Sequence, residues 1–218
     1  MNYLSFSLWG DKPIYNIGAI KNSLLFPKIY DGWNMILYYD ESVPKNTLKQ
    51  LEKNNVILIN STGVKYDSCW RFFAADIVDC DYVVFRDCDS RISEREFSAV
   101  QEWIDSGKTL HVMRDHPAHG IPFGASGLSI LAGMWGIRSK KINLTQMIEN
   151  FLKMKNNYYG IDQTFLQEIY KMFEDDRLCH DEFFQGKSFP KKRENGRFIG
   201  ERINFDDKPL TNDYLSVL

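Results

Sequence analysis

The 218-residue sequence has only four cysteines, Cys69, Cys80, Cys88 and Cys179, and no Cys-x-x-Cys pair, so it offers neither a thiol metal knuckle nor a disulfide framework. Reduced thiols and a cytoplasmic setting are the expectation. No apolar run approaches the roughly 18 to 20 residues that span a bilayer, and the amino terminus lacks the basic start and cleavage site of a secretory signal. Neither sign of charge is in excess: 27 Lys and Arg stand against 29 Asp and Glu, a formal −2. That balance removes the general field that draws nucleic acid or an anionic membrane, so an anion has to be gripped locally. Internal repeats and low-complexity linkers are absent too. The length suits one sizeable core, and a single domain over 1–218 is expected.

What is present begins with Asp81-Tyr82-Val83-Val84-Phe85-Arg86-Asp87-Cys88-Asp89-Ser90-Arg91, an apolar run that ends in two carboxylates one residue apart. Tyr82 to Phe85 are β-branched or aromatic and read as a buried strand. Such a strand delivers Asp87 and Asp89 to the carboxyl edge of a sheet, where open α/β folds bind ligands. Residues two apart point to one side, so both acids can serve one hard divalent cation while Cys88 faces away. An Asp-rich turn without metal is the plain alternative.

Apolar strands alternate with helical segments through the first half, which argues for parallel βαβ units. Strands are expected at Leu4 to Leu8, Met35 to Tyr39, Val56 to Ile59 and Thr109 to Met113. Helices are expected at Ile14 to Phe26, stopped by Pro27, at Pro44 to Lys53 and at Trp70 to Val78. Ser93 and Glu96 form a capping box before a helix that runs to about Asp105 and closes at Gly107. The piece from Ile121 to Gly136 is glycine-rich and reads as loop. Leu144 to Met154 and Asp162 to Phe173 are helical, with Asp162 as N-cap of the second. From Gly186 to Arg202 basic residues cluster among Gly and Pro, the pattern of a mobile basic arm.

Several constellations suit a nucleotide diphosphate. Hard carboxylate donors at Asp87 and Asp89 select magnesium or manganese, with the phosphates completing the shell. His180 is the candidate third ligand and Asp181 the fallback; a half-buried structural histidine is the alternative. Arg86 flanks the acids, and the arm, with Lys187 and Arg193, is placed to cover the phosphates or is only a solvated charge run. His116 and His119 lack the partners of a zinc site. Asp162 is a base candidate or a simple cap, and Asp115 is a second base candidate.

With these residues in place the chain resembles the nucleotide-sugar-dependent glycosyltransferases of the GT-A fold, and in particular the small single-domain enzymes of bacteria and large DNA viruses. The carrying segments are Ser5 to Gly10, Trp70-Arg71-Phe72, Arg86 to Arg91, Met113 to Pro117, Gly133-Met134-Trp135-Gly136, Tyr159 to Gln163 and Arg197 to Gly200. The resemblance implies a mixed, mainly parallel Rossmann-like sheet flanked by helices. A nucleotide-binding half would cover about 1–91 and a donor-sugar and acceptor half about 92–218. It implies donor contacts from Ser7, Trp9, Arg71, Gly133 and Trp135, Mn2+ or Mg2+ on Asp87, Asp89 and His180, a UDP- or GDP-sugar as donor, and a glycan or other hydroxyl acceptor facing Asp162. The His-x-x-Gly-x-x-Lys-Pro-Trp pattern of the best-known retaining members is absent, so stereochemistry is not carried over. Competing classes are a haloacid-dehalogenase-type phosphatase, a nucleotidyltransferase, and a sugar-nucleotide-binding module without turnover. Arg91 stands where the phosphatase wants Thr or Val, and Leu8 to Lys12 is a poor match to a nucleotidyltransferase loop.

Overall fold

The structure is a computed structural model that describes residues 1–122, 125–153 and 158–210. Seven strands form one sheet: β1 (Asn2–Leu8), β2 (Asn34–Tyr39), β3 (Ile57–Asn60), β4 (Tyr82–Arg86), β5 (Leu110–Arg114), β6 (Met134–Arg138) and β7 (Arg177–Asp181). Their order is β3-β2-β1-β4-β6-β5-β7. All run the same way except β6, which is antiparallel to both β4 and β5. The mainly parallel α/β sheet expected from the sequence is therefore present.

The period of two along β1 divides the molecule into layers. Leu4, Phe6 and Leu8 face α1 (Pro13–Ile29), α2 (Lys45–Lys53) and α3 (Glu94–Ser106), where they join Ala19, Leu51, Val100 and Trp103 in one buried cluster. Tyr3, Ile36, Tyr38, Val83, Phe85 and Trp135 face the other way, against Trp70, Phe72 and the buried sides of α4 (Leu144–Lys153) and α5 (Ile161–Met172). Each fully buried Leu, Phe or Val contributes about 1.5–3 kcal/mol, so the two clusters together hold the sheet between its helices. Among the described residues no helix is long and apolar enough to cross a membrane.

Several elements differ from the sequence reading. α1 continues through Pro27 to Ile29. A proline there forgoes a single hydrogen bond near the helix end, and Tyr30 fixes that end by stacking on Phe26 and donating to Glu96 at 2.7 Å. Asp67–Asp76 forms 3-10 helix in place of an α-helix from Trp70 to Val78. Two β1 side chains hold its backbone: the Arg71 N–H donates to Ser7 Oγ and Ser5 Oγ donates to the Arg71 carbonyl, both at 2.8 Å. Strand β6 lies inside the glycine-rich stretch, and β7 follows α5, where the sequence reading had no strand. The predicted end of α4 at Met154 and Gly124 lie outside the described residues.

The caps are half right. Ser93 Oγ accepts from the Glu96 N–H, but the Glu96 side chain turns inward to Tyr30 and Arg86 and does not return to Ser93. Gly160, in the left-handed region at φ 87°, caps α5, and Asp162 sits in its first turn. The basic tail is no mobile arm in this structure: Phe189, Phe198, Ile199 and Ile203 are buried, and Arg193 and Arg202 are in ion pairs. A few apolar anchors fix the segment while two of its arginines find acids.

Candidate active site at the carboxyl edge of the sheet

β4 ends at Arg86, and the chain turns immediately through Asp87, Cys88 and Asp89. Helix α1 supports this turn. Asn22 donates to the Ser90 carbonyl at 2.8 Å and accepts from the Ile92 N–H at 3.2 Å. One helical turn earlier, Gly18 lets the turn pass close, because a Cβ there would collide with the Cys88 carbonyl. Cys88 points away from the site, donating its thiol to the Ser7 carbonyl.

Each acid meets an arginine. Arg71 Nη1 donates to Asp87 Oδ1 and to the Arg86 carbonyl (3.1 Å), while Nη2 reaches Asp162 Oδ2 at 3.3 Å. One guanidinium thus spans the acidic turn and the start of α5. Arg202, from the carboxyl-terminal segment, places Nε 2.9 Å from Asp89 Oδ2. Burial works against the charge on Asp87, but the Arg71 guanidinium outweighs it and holds the carboxyl below its usual range. Asp89 goes the other way: burial and then the Asp87 charge raise it, against the pull of Arg202. Burial likewise raises Asp162, opposed by Arg71. Tyr15, on α1, belongs to the same group, its phenol raised by burial and by the Asp89 charge.

β6 supplies the last wall. Because it runs antiparallel to β4, its first residue Met134 pairs with Arg86 and Gly133 lies beside Asp87. Any Cβ at Gly133 would strike the Asp87 carboxylate. The missing side chain is what leaves Asp87 Oδ2 its space, and the Asp87 side chain is 47% exposed there. Two carboxylates one residue apart, with one oxygen turned to an open space, are the donor set of a magnesium- or manganese-type cation that takes its other ligands from phosphates and water. Among the described residues no cluster of three or more His, Cys, Asp or Glu could enclose a metal alone. Asp87 and Asp89 are of the donor type that suits such a cation.

Of the other residues expected at the site, Trp9 stands at the exit of β1, 41% exposed and edge-on to Trp70 at 6.4 Å. Ser7 is buried and spends its hydroxyl on Arg71, so it positions that arginine. Arg86 is also buried, bonded to the Gly133 carbonyl, Ser90 and Glu96, which makes it a strut beneath the site. Trp135 is fully buried against Phe72 and Phe85 in the core.

His180 is not brought to the acidic pair. It lies on β7, three strands from β4, fully buried, with its ring nitrogens on His111 (2.8 Å) and Glu102 (2.9 Å). Lys187 pairs with Glu102 at the same edge. Asp181, the fallback ligand, accepts from Arg114 and from the amides of Phe184 and Gly186. Asp115 is fully buried and accepts from Arg95, Arg193 and the Ile199 N–H, so it has no lone pair left for an acceptor hydroxyl. Arg193 is spent on that same hub. His119 Nδ1 accepts from the Asp115 N–H and His116 Nδ1 from the Ala118 N–H, and Phe198 packs between the rings. Sequence reading missed Tyr15, Gly18 and Arg202 as site residues. Only the tail basicity hinted at Arg202.

The architecture is an α/β fold: a seven-stranded sheet with one reversed strand and an acidic turn at the exit of its central β4. No protein-family model matches the sequence, and no curated protein matches it. Solved structures do resemble it. The galactosyltransferase LgtC, in complex with donor and acceptor sugar analogs, aligns with a TM-score of 0.53 at 14% identity, over 83% of this chain and 73% of that one. A 4-diphosphocytidyl-2C-methyl-D-erythritol synthase from Anaerococcus prevotii aligns at 0.53 and 12%, over 83% and 89%. Glucosyl-3-phosphoglycerate synthase from Mycobacterium tuberculosis, in complex with Mn2+, UDP-glucose and phosphoglyceric acid, aligns at 0.50 and 14%, over 82% and 68%. The chain has the GT-A-type fold that sugar transferases and nucleotidyltransferases share.

Proposed function

We propose that this chain is a glycosyltransferase that moves a sugar from a UDP- or GDP-linked donor to a hydroxyl of a glycan or other acceptor, with Mn2+ or Mg2+ bound at Asp87 and Asp89. Carrying this reading is one observation: a single buried guanidinium, Arg71, joins Asp87 to Asp162 across the carboxyl edge of the sheet. Residues 1–91 would hold the nucleotide and 92–218 the donor sugar and acceptor. Its four free thiols suit the reducing cytoplasm.

Each residue takes a role its surroundings support. Trp9 offers an exposed ring for the base. Asp87 and Asp89 hold the cation, and Gly133 leaves room for the Asp87 carboxylate. A bound cation supplies Lewis-acid stabilisation of the departing nucleoside diphosphate. Arg71 orients Asp87 and keeps it ionised. If the reaction inverts, Asp162 takes the acceptor proton, a part for which its raised affinity for protons suits it; a retaining reaction needs no base there. Asp115 is withdrawn as base, and His180 and Lys187 have no part at this site.

The test is release of nucleoside diphosphate from a panel of UDP- and GDP-sugars with and without Mn2+. Asp87→Asn and Asp89→Asn are expected to lose metal-stimulated release by about 100-fold or more, and near-normal release in both would falsify the assignment. The panel also separates the alternatives. A binding module without turnover is stabilised by the donor and releases nothing. A nucleotidyltransferase, the second reading that the equal likeness to the erythritol synthase keeps in view, forms pyrophosphate from a nucleoside triphosphate.

A further inference from the structure

The two arginines on the acidic pair are held in different ways. Arg71 is 5% exposed, its backbone is tied on both sides by Ser5 and Ser7, and its guanidinium serves three acceptors, so it cannot leave. Arg202 makes one ion pair, to Asp89, and its side chain is 56% exposed. The backbone on either side of it is nevertheless fixed. Glu201 and Ile203 are buried, the Ile203 N–H donates to the Asp89 carbonyl at 2.7 Å, and Arg91 and Lys21 anchor the chain just beyond through Asp207. Only the side chain of Arg202 can swing.

Charge gives that swing a direction. Three carboxylates, Asp87, Asp89 and Asp162, face two guanidiniums, which leaves a formal charge of −1. A dication added to this set turns the local charge positive, and the contact that costs least to give up is the exposed Arg202–Asp89 pair. A freed guanidinium beside a bound cation is a planar donor fork suited to phosphate oxygens. The Tyr15 phenol feels the charges of Asp89, Arg202 and Asp87 together, so Arg202 belongs to the same cluster.

From this we infer that Arg202 is a placeholder: it neutralises Asp89 in the empty enzyme, gives that carboxylate up when a divalent cation binds, and then grips the donor's diphosphate. The inference rests on the proposed cation site and adds a coupling between cation and nucleotide that the acidic pair alone does not supply.

Binding measurements on the unmodified full chain test it without any turnover. Free Mn2+ is followed by its electron spin resonance signal, first with Mn2+ alone and then with UDP and GDP. Arg202→Gln removes the competitor, so Mn2+ alone is expected to bind about fivefold tighter or more, while UDP or GDP in saturating Mn2+ binds weaker by a similar factor. A purely structural arginine would weaken both. Mn2+ binding equal to or weaker than that of the natural protein overturns the placeholder, provided Asp89→Asn abolishes binding in both backgrounds. If neither the natural protein nor the variant binds Mn2+, the cation site itself is wrong and the inference falls with it. Should Arg202→Gln not fold, Arg202→Lys keeps the charge and loses the fork. Its expected pattern is natural Mn2+ affinity with weakened nucleotide binding, and undiminished nucleotide binding overturns the inference.

Discussion

Asp115 is fully buried with its two oxygens shared among Arg95, Arg193 and the Ile199 N–H, at 2.8 to 3.2 Å. The carboxylate ties α3, the end of β5 and the carboxyl-terminal segment at one point. Asparagine there offers one acceptor oxygen and no charge, which strands two guanidiniums. Asp115→Asn is expected to cost about 3–5 kcal/mol in equilibrium denaturation, and a loss below about 1 kcal/mol would show that the hub is dispensable. Buried charge of this kind looks the same in a sequence as charge at a site. Sequence alone therefore offers Arg86, Asp115 and Arg193 as ligands or catalysts, whereas Arg71, which the family resemblance implies, and Asp162, which the sequence offers as base or cap, do stand at Asp87.

At the scale of elements, α1 does more than cover the sheet. Gly18 and Asn22 lie one turn apart on the face that carries the acidic turn. Gly18→Ala sets two effects against each other: helix propensity alone predicts a gain of roughly 1 kcal/mol, while a Cβ driven into the Cys88 carbonyl costs about 1–3 kcal/mol. Backbone cannot yield as a side-chain tip can, so a net loss in urea denaturation is expected, together with weaker Mn2+ binding. A stabilised variant with natural Mn2+ affinity would refute the buttress. Strands β1, β2 and β4 were legible because both their faces are buried, which makes them continuous apolar runs. Neither β6 nor β7 carries such a run. Gly136 stands where the Val83 carbonyl and Trp103 pass too close for a side chain, and β7 brings Arg177 and His180 to ion pairs and hydrogen bonds. The 3-10 form of Asp67–Asp76 is held by two serines 66 and 64 residues from Arg71 in sequence, which no local pattern reveals.

Across the whole molecule, all four histidines are held below their ordinary range by burial, His119 to about 3. The unfolded chain takes up protons near 6.5, before the folded one does, so the stability these rings contribute is complete above that pH and is drawn down as pH falls. Buried Asp89, Glu96, Asp162 and Glu201 are raised and act in the opposite sense, so the natural protein's melting curve mixes both. His111→Gln isolates one ring. The gap in melting temperature between it and the natural protein is expected to narrow from about pH 7.5 to about pH 5.5; a constant gap would show that His111 does not titrate differently on unfolding. The site is also a property of the whole chain. Asp87 and Asp89 come from the first half, while Gly133, Asp162 and Arg202 arrive later, and only the assembled sheet brings them to one edge.

The reversal of β6 has a consequence for how such a chain can change over time. Six strands arrive at the working rim with their last residues, and β6 departs from it with its first, so the connection between Arg114 and Gly133 begins and finishes on that rim. Insertions or deletions between those two anchors change the surface of the rim, while the pairing of Met134 with Arg86 keeps the adjoining Gly133 in place. If the chain is the glycosyltransferase proposed above, loop exchange there is the expected route to new acceptor preferences, with the donor side of the site left as it is.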